Sequence, residues 1–180
     1  MSQPNRLFQL LDLYKQQHPD KGMLYAKVKG QWQGQTATEI EEQAMQLACS
    51  LQAMGHHAGD FSPEAQSKIG IIANNRPEWL ITDFAVQQIG SVLVPIYPSI
   101  TEAEWAYIIN ESQLTVLFVS DRHIYKKVSR ILDQTPSLKW VFSYDSIDGV
   151  EHWTTLLKPY TPEQKQNILS IREQIAPQHL

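Results

Sequence analysis

Four short apolar runs, rich in β-branched residues, recur through the middle of the chain: Lys68-Ile69-Gly70-Ile71-Ile72-Ala73, Val92-Leu93-Val94-Pro95-Ile96, Thr115-Val116-Leu117-Phe118-Val119 and Lys139-Trp140-Val141-Phe142. None alternates polar with apolar positions, which is the pattern of a strand covered on both faces. Their starts at Ile69, Val92, Thr115 and Lys139 lie 23, 23 and 24 residues apart. That interval holds one helix and two turns, whereas an antiparallel hairpin needs only a few residues. The cadence predicts βαβαβαβ, a short parallel doubly wound α/β sheet. The runs share no sequence similarity, so the regularity is architectural and not a repeat.

The polar spacers carry helix signals. Asn75-Arg76-Pro77-Glu78 offers a cap at Asn75, a proline in the first turn and an acid at N3, ahead of Trp79, Leu80, Ile81, Phe84, Ala85 and Ile89. Thr101 and Glu104 form a capping box before Trp105, Ile108 and Ile109. A third helix is expected from about Asp121 to Asp133, on which Arg122, Lys126 and Arg130 recur every four residues as one basic stripe.

Before the sheet, Leu7, Leu10, Leu11 and Tyr14 suit a short helix, and 23–29 followed by 30–35 suits a small hairpin. A capping box at Thr38 and Glu41 is expected to open a helix carrying Ile40, Ala44, Leu47, Leu51 and Met54 at the helical period. The stretch 56–67 holds Gly59, Pro63 and scattered polar residues, with Gly55 just before it, and reads as an exposed loop. After the sheet, 163–175 reads as a polar helix with a thin seam of Ile168, Ile171 and Ile175. The expected organisation is a helix–hairpin–helix segment over 1–60, a loop insertion at 61–67, the α/β unit over 68–158 and a C-terminal helix over 159–180.

With 180 residues, 42% of them hydrophobic, the chain can bury a core of its own. A net charge of −4 offers no basic surplus for a phosphate backbone, so nucleic acid is not an expected partner. The lone cysteine, Cys49, excludes an internal disulfide framework and fits a reducing cytoplasm. No run approaches the ~18 apolar residues of a membrane span, which leaves attachment to a membrane surface open.

The eight glycines form neither GxGxxG nor GxxxxGK followed by Ser or Thr, and a phosphate cradle needs close backbone amides that glycine permits. GxSxG, HExxH and CxxC are absent too. His56-His57 reads as part of a solvated loop, since adjacent rings rarely aim at one ion. Cys49 reads as a small structural residue on the polar edge of its helix, and the five tryptophans as core. The basic stripe reads as a wet helix face before it reads as a phosphate contact. The run from Val92 to Thr101 is the most informative. It passes from a strand end through two prolines to a capped helix N-terminus, and ligands of open α/β sheets settle beyond the carboxyl ends of strands. Spacing alone reads it as a rigid turn, with a ligand lip as the alternative. A phosphoacceptor domain is excluded because Asn74 and Asn75 stand where acids are required.

Taken in order, Lys68 to Trp79, Ala85 to Gly90, Val94-Pro95-Ile96-Tyr97 and Thr101-Glu102-Ala103-Glu104 resemble the N-terminal region of AMP-forming acyl-CoA synthetases, especially long-chain fatty-acid–CoA ligases. Gln31-Trp32, Thr38-Glu39-Ile40, Leu47-Ala48 and Gly59-Asp60 continue the likeness upstream, and 61–67 departs from it as an insertion. The resemblance implies an enzyme in which a fatty carboxylate reacts with ATP to give an acyl-adenylate and CoA then displaces AMP, with magnesium neutralising the phosphates. It also implies that the phosphate loop and the catalytic lysine belong to the remainder of the ligase chain, so no catalytic residue, metal site or cofactor is assigned to these residues and the piece alone is expected to be inactive. By the same resemblance Tyr97, Ser99 and Thr101 lie near the thioester channel, and Lys126 and Lys127 approach CoA. Two further expectations are self-association through an exposed apolar face and, as the alternative function, a stand-alone interaction module that kept the front of the ligase fold.

Overall fold

A computed structural model describes residues 4–179. Its order is α1 (Leu7–Gln17), β1 (Gly22–Val28), β2 (Gln31–Thr36), α2 (Ala37–Ala53), β3 (Lys68–Ile72), α3 (Pro77–Gln88), β4 (Val92–Pro95), α4 (Glu102–Glu111), β5 (Val116–Val119), α5 (Arg122–Val128), β6 (Trp140–Ser143), β7 (Glu151–His152) and α6 (Pro162–Gln174). β1 and β2 form an antiparallel ribbon, and the other strands form one parallel sheet in the order β4-β3-β5-β6-β7. The expected doubly wound α/β fold is therefore what the chain adopts.

Alternate residues of the central strands explain the unbroken apolar runs. Ile69, Ile71, Val116 and Phe118 enter a core shared with α1, α2, α3 and α6, while Ile72, Leu117 and Val119 enter a second core with α4 and α5. Gly70 sits between them because a side chain there would collide: a Cβ would stand 2.5 Å from Leu114 Cδ1 and 2.8 Å from Leu117 Cδ1. The outer edge of β4 is blunted. Val92 and Ile96 donate inward to the carbonyls of Ser67 and Ile71, so Pro95, on the opposite parity, presents no N–H to the outside.

Several local expectations shift. The capping box of α2 uses Thr36 and Glu39, not Thr38 and Glu41: β2 ends at Thr36, whose extended backbone presents Oγ1 to the Glu39 amide while Glu39 returns to the Thr36 amide at 2.7 Å. Arg76, not Asn75, occupies the N-cap of α3, with Pro77 at its first helical position. α5 stops at Val128, where the Ser129 hydroxyl takes the carbonyl of Lys126, and a 3₁₀ turn at Leu132–Gln134 follows. Arg130 thus lies past the helix and the basic stripe does not continue to it. α6 begins at Pro162 on a Thr161 cap. β7, two residues long, was not anticipated.

The stretch 56–67 is a loop exposed only in part: His57, Gly59, Asp60, Pro63 and Glu64 face solvent. His56, Ala58 and Gln66 are buried, and Gln66 Nε2 donates to the Gly90 carbonyl at 2.8 Å and to the His179 carbonyl at 3.2 Å. Cys49 is buried in the core of α2 and not on a polar edge, and burial pushes its thiol up. Of the tryptophans, Trp105 and Trp153 are buried, whereas Trp32 and Trp140 are exposed. The seam of α6 is not left open either: Ile168 and Ile175 are buried in the core with α1, α2 and α3, so it supplies no surface for self-association. Arg6 closes this corner, its Nη1 donating to the carbonyls of Arg172 and Ile175 at the end of α6.

Candidate functional site at the carboxyl ends of the strands

The loops beyond β3 and β4 surround a cleft of about 690 Å³, lined by Ala73, Asn74, Asn75, Trp79, Ile96 and Tyr97 with Pro95 and Pro98. A second cleft of about 410 Å³ adjoins it toward the β1–β2 ribbon and shares Asn75 and Trp79. The half-buried Trp79 on α3 is thus a wall common to both.

The lip of the larger cleft is built around Trp105. This indole is fully buried under the first turns of α4, and its Nε1 donates to the Tyr97 carbonyl at 3.0 Å. That bond, with Pro95 and Pro98 on either side, holds the chain between β4 and α4 in one conformation. Thr101 closes the turn: its Oγ1 accepts from the Glu104 amide at 3.2 Å, and Glu104 accepts from the Thr101 amide at 2.8 Å. The Thr101 backbone and hydroxyl bonds hold the Glu104 carboxyl below the usual carboxylate range. From α5, the Lys127 ammonium lies 5.6 Å from the Trp105 ring centroid. The structure therefore gathers Tyr97, Thr101 and Lys127 around one tryptophan. Tyr97 itself is 74% exposed, and Ser99 and Lys126 are also exposed.

A polar network ties the neighbouring strand ends together. Arg76 clasps Glu78 through Nε at 2.8 Å and Nη2 at 3.0 Å, while its Nη1 reaches Asp145 at 3.1 Å and the Ser120 carbonyl at 3.0 Å. The guanidinium also lies 5.2 Å from the Tyr144 ring. One side chain thereby joins the loops after β3, β5 and β6. Burial disfavours the Glu78 charge, but the Arg76 hydrogen bonds outweigh it and hold the carboxyl below its ordinary value. Beneath, Tyr144 OH and Thr82 Oγ1 stand 2.7 Å apart, and complete burial drives the phenol far above its ordinary pKa. Asp121 caps α5 by accepting from the amides of His123 at 2.8 Å and Ile124 at 3.0 Å. Burial raises its carboxyl, yet the Ser120 hydroxyl and those amides prevail and hold it low. That carboxylate is committed to a helix cap.

Sequence reasoning missed both Trp105 as the keystone of the lip and Arg76 as a staple. The only signal for the first was an indole four residues after the Thr101 cap, which by itself reads as core. The second had none, since Ser120 and Asp145 are 44 and 69 residues away from Arg76.

The sheet and its order define an α/β unit of the doubly wound kind with an open cleft at its carboxyl edge. The AMP-binding enzyme family matches residues 11–176, and the chain belongs to that family. It is 36% identical over 96 residues to a peroxisomal acyl-CoA ligase of Penicillium roqueforti, covering 53% of this chain and 13% of that protein. It is 27% identical over 128 residues to a long-chain-fatty-acid CoA ligase of Mycobacterium bovis, covering 71% and 20%. A long-chain-fatty-acid CoA ligase of Drosophila melanogaster is 26% identical over 153 residues, covering 80% and 21%. The chain thus spans about a fifth or less of these relatives. Among solved structures, a long-chain-fatty-acid CoA ligase of Rhodopseudomonas palustris superposes with a TM-score of 0.70 at 20% identity, over 86% of this chain and 37% of that one. An anthranilate CoA ligase in complex with anthranoyl-AMP gives 0.63 at 18%, over 82% and 26%. At these identities the superpositions speak to the fold.

Among the described residues no group of three or more histidine, cysteine or acidic side chains is placed to hold a metal ion. The glycine of β3 is consumed by packing against Leu114 and Leu117, and Asp121 and Glu78 are occupied as a cap and as an ion pair.

Proposed function

We propose that the chain is the N-terminal part of an AMP-forming fatty-acid–CoA ligase, and that its share of the work is to build one wall of the passage in which the thioester forms. ATP, magnesium, CoA and a fatty acid are the reactants of the whole enzyme, the rest of the ligase chain is the partner of this unit, and the cytoplasm is its proposed compartment. Within the wall, Tyr97, Ser99 and Thr101 form the stiff lip, and Lys126 and Lys127 offer positive charge to the phosphates of CoA. The observation that carries this reading is the Trp105 arrangement. It fixes an exposed aromatic and a cationic side chain at the open end of the sheet, in a chain whose family is that of AMP-binding enzymes.

The test is steady-state kinetics on the ligase that contains this segment. Replacing Lys126 and Lys127 together by alanine is expected to raise the KM for CoA about tenfold and leave the KM for ATP unchanged. An unchanged KM for CoA, or an equal rise for both substrates, contradicts the assignment. The 180-residue chain alone is expected to show no fatty-acid-dependent exchange of pyrophosphate into ATP.

A further inference from the structure

The β1–β2 ribbon carries an unusual surface. Cross-strand pairing places Tyr25 opposite Gly34 and Lys27 opposite Trp32, so these residues share one face. Tyr25 lies flat on it: a Cβ on Gly34 would fall 2.6 Å from Tyr25 Cε1. Lys27 Nζ stands 5.3 Å from the Trp32 ring centroid. Trp32 is 68% exposed and Tyr25 58%, and Val28 at the tip is 43% exposed. The opposite side is anchored, because Leu24 packs on the main core and Tyr14 OH donates to the Gly22 carbonyl at 3.0 Å. The aromatic face is therefore held out on a fixed platform.

Charge says what such a face suits. In a chain of net charge −4, the only charged side chains of 21–38 are Lys21, Lys27 and Lys29. A dry protein interface is depleted in lysine at its centre, yet Lys27 shares this face with both aromatics and stands directly across from Trp32. Tryptophan and tyrosine beside long-stemmed lysines are the groups that settle at a bilayer interface, with the rings at headgroup level and the ammonium groups among anionic headgroups. We propose that this ribbon is a membrane-interface anchor, with Trp32 and Tyr25 seating in the headgroup layer of an anionic bilayer and Lys21, Lys27 and Lys29 drawing it there. The proposal stands apart from the ligase reading. The equally exposed Tyr107 serves as a contrast, since α4 flanks it with Glu104 and Glu111 and gives an anionic surface no attraction.

The test is co-sedimentation of the 180-residue chain with vesicles of phosphatidylcholine alone or mixed with phosphatidylglycerol. Binding is expected to the mixed vesicles, to fall as salt is added, and to be far weaker to phosphatidylcholine alone. Lys27→Gln combined with Lys29→Gln is expected to reduce partitioning roughly tenfold or more. Trp32→Ala should reduce it several-fold, and Tyr107→Ala should leave it unchanged. All the replaced side chains are exposed, and matching circular dichroism and melting curves verify that each variant is folded. The proposal is overturned if the wild-type chain ignores mixed vesicles, or if the ribbon variants bind them as the wild type does. It is equally overturned if Trp32→Ala abolishes self-association of the chain while vesicle binding is unaffected.

Discussion

At the carboxyl end of the five-stranded sheet, Asn74, Asn75 and Tyr97 are exposed beside an open cleft, while at the amino end His56, Gln66, Gly90 and Ser91 are buried. The two ends are made from similar materials. Both consist of short loops rich in polar residues, and both contain half-buried or buried hydrogen-bonding side chains. They differ in where those side chains point their bonding capacity. At the closed end, Gln66 donates to the Gly90 carbonyl, the Ser91 hydroxyl to the His57 carbonyl at 3.3 Å, and the His57 amide to Ser67 Oγ at 3.1 Å. The bonds run from loop to loop and seal the end. At the open end, Trp105, Arg76 and Asp121 bond to backbone at the strand exits, which stiffens each rim and leaves the space between rims unfilled. The carboxyl end is stiff and hollow, and the amino end is tied loop to loop.

Substitutions at the two ends sharpen this contrast. The largest effect is expected at the keystone of the hollow end: Trp105→Ala should destabilise the chain by about 3–5 kcal/mol, read from urea unfolding, because a fully buried indole leaves a cavity under α4. Trp105→Phe, which fills most of the space but cannot donate to Tyr97, should cost less in stability while loosening the lip, seen as faster amide exchange over 96–101. If the phenylalanine variant exchanges as slowly as the wild type, prolines alone hold the lip. Next, Arg76→Ala should cost about 2–3 kcal/mol, since it strands Glu78 and frees the loops after β5 and β6. Arg76→Lys should recover only part of that, a point charge being unable to reproduce the bidentate clasp.

At the closed end the expected effect is smaller and depends on pH. His56 is 4% exposed, its Nε2 has no partner, and its edge meets Trp140 with the ring centroids 6.4 Å apart. Burial pushes the imidazole pKa below its ordinary 6.5, helped by His57 and Lys139. The unfolded chain therefore takes up a proton that the folded chain resists. The stability this contributes is complete above pH 6.5 and is lost as pH falls through the lowered folded value. Melting curves should shift downward from neutral pH toward pH 5.5, and His56→Leu should flatten that part of the profile; a variant that keeps the full wild-type slope excludes His56 as its source. The smallest effect is expected from Thr101→Ala, which removes one half of a capping box at an exposed turn and should cost about 1 kcal/mol.

Much of the scaffold was readable from pattern. The regular interval between apolar runs exposed four strands and their parallel sense, most clearly for β3 and β5, which are buried on both faces. β7 escaped, since Glu151 and His152 carry no apolar signal and are strand only through pairing with Phe142 and Ser143. The partial burial of 56–67 escaped for a related reason. Gly59 and the polar residues look like a wet loop, and the buried Gln66 finds its partners only in the distant Gly90 and His179 carbonyls. At the candidate site, the proline turn and the Thr101 cap were visible as local chemistry. The role of Trp105 was not, because a buried indole reads as core unless the atom that accepts its hydrogen is known.

Hydrogen exchange of the ligase that contains this segment, with and without saturating CoA and resolved by peptide, tests the difference between the two ends most directly. The account requires protection by CoA over 95–103 and 121–128, with 56–67 unaffected. Protection centred on 56–67, or none at the strand exits, would contradict it.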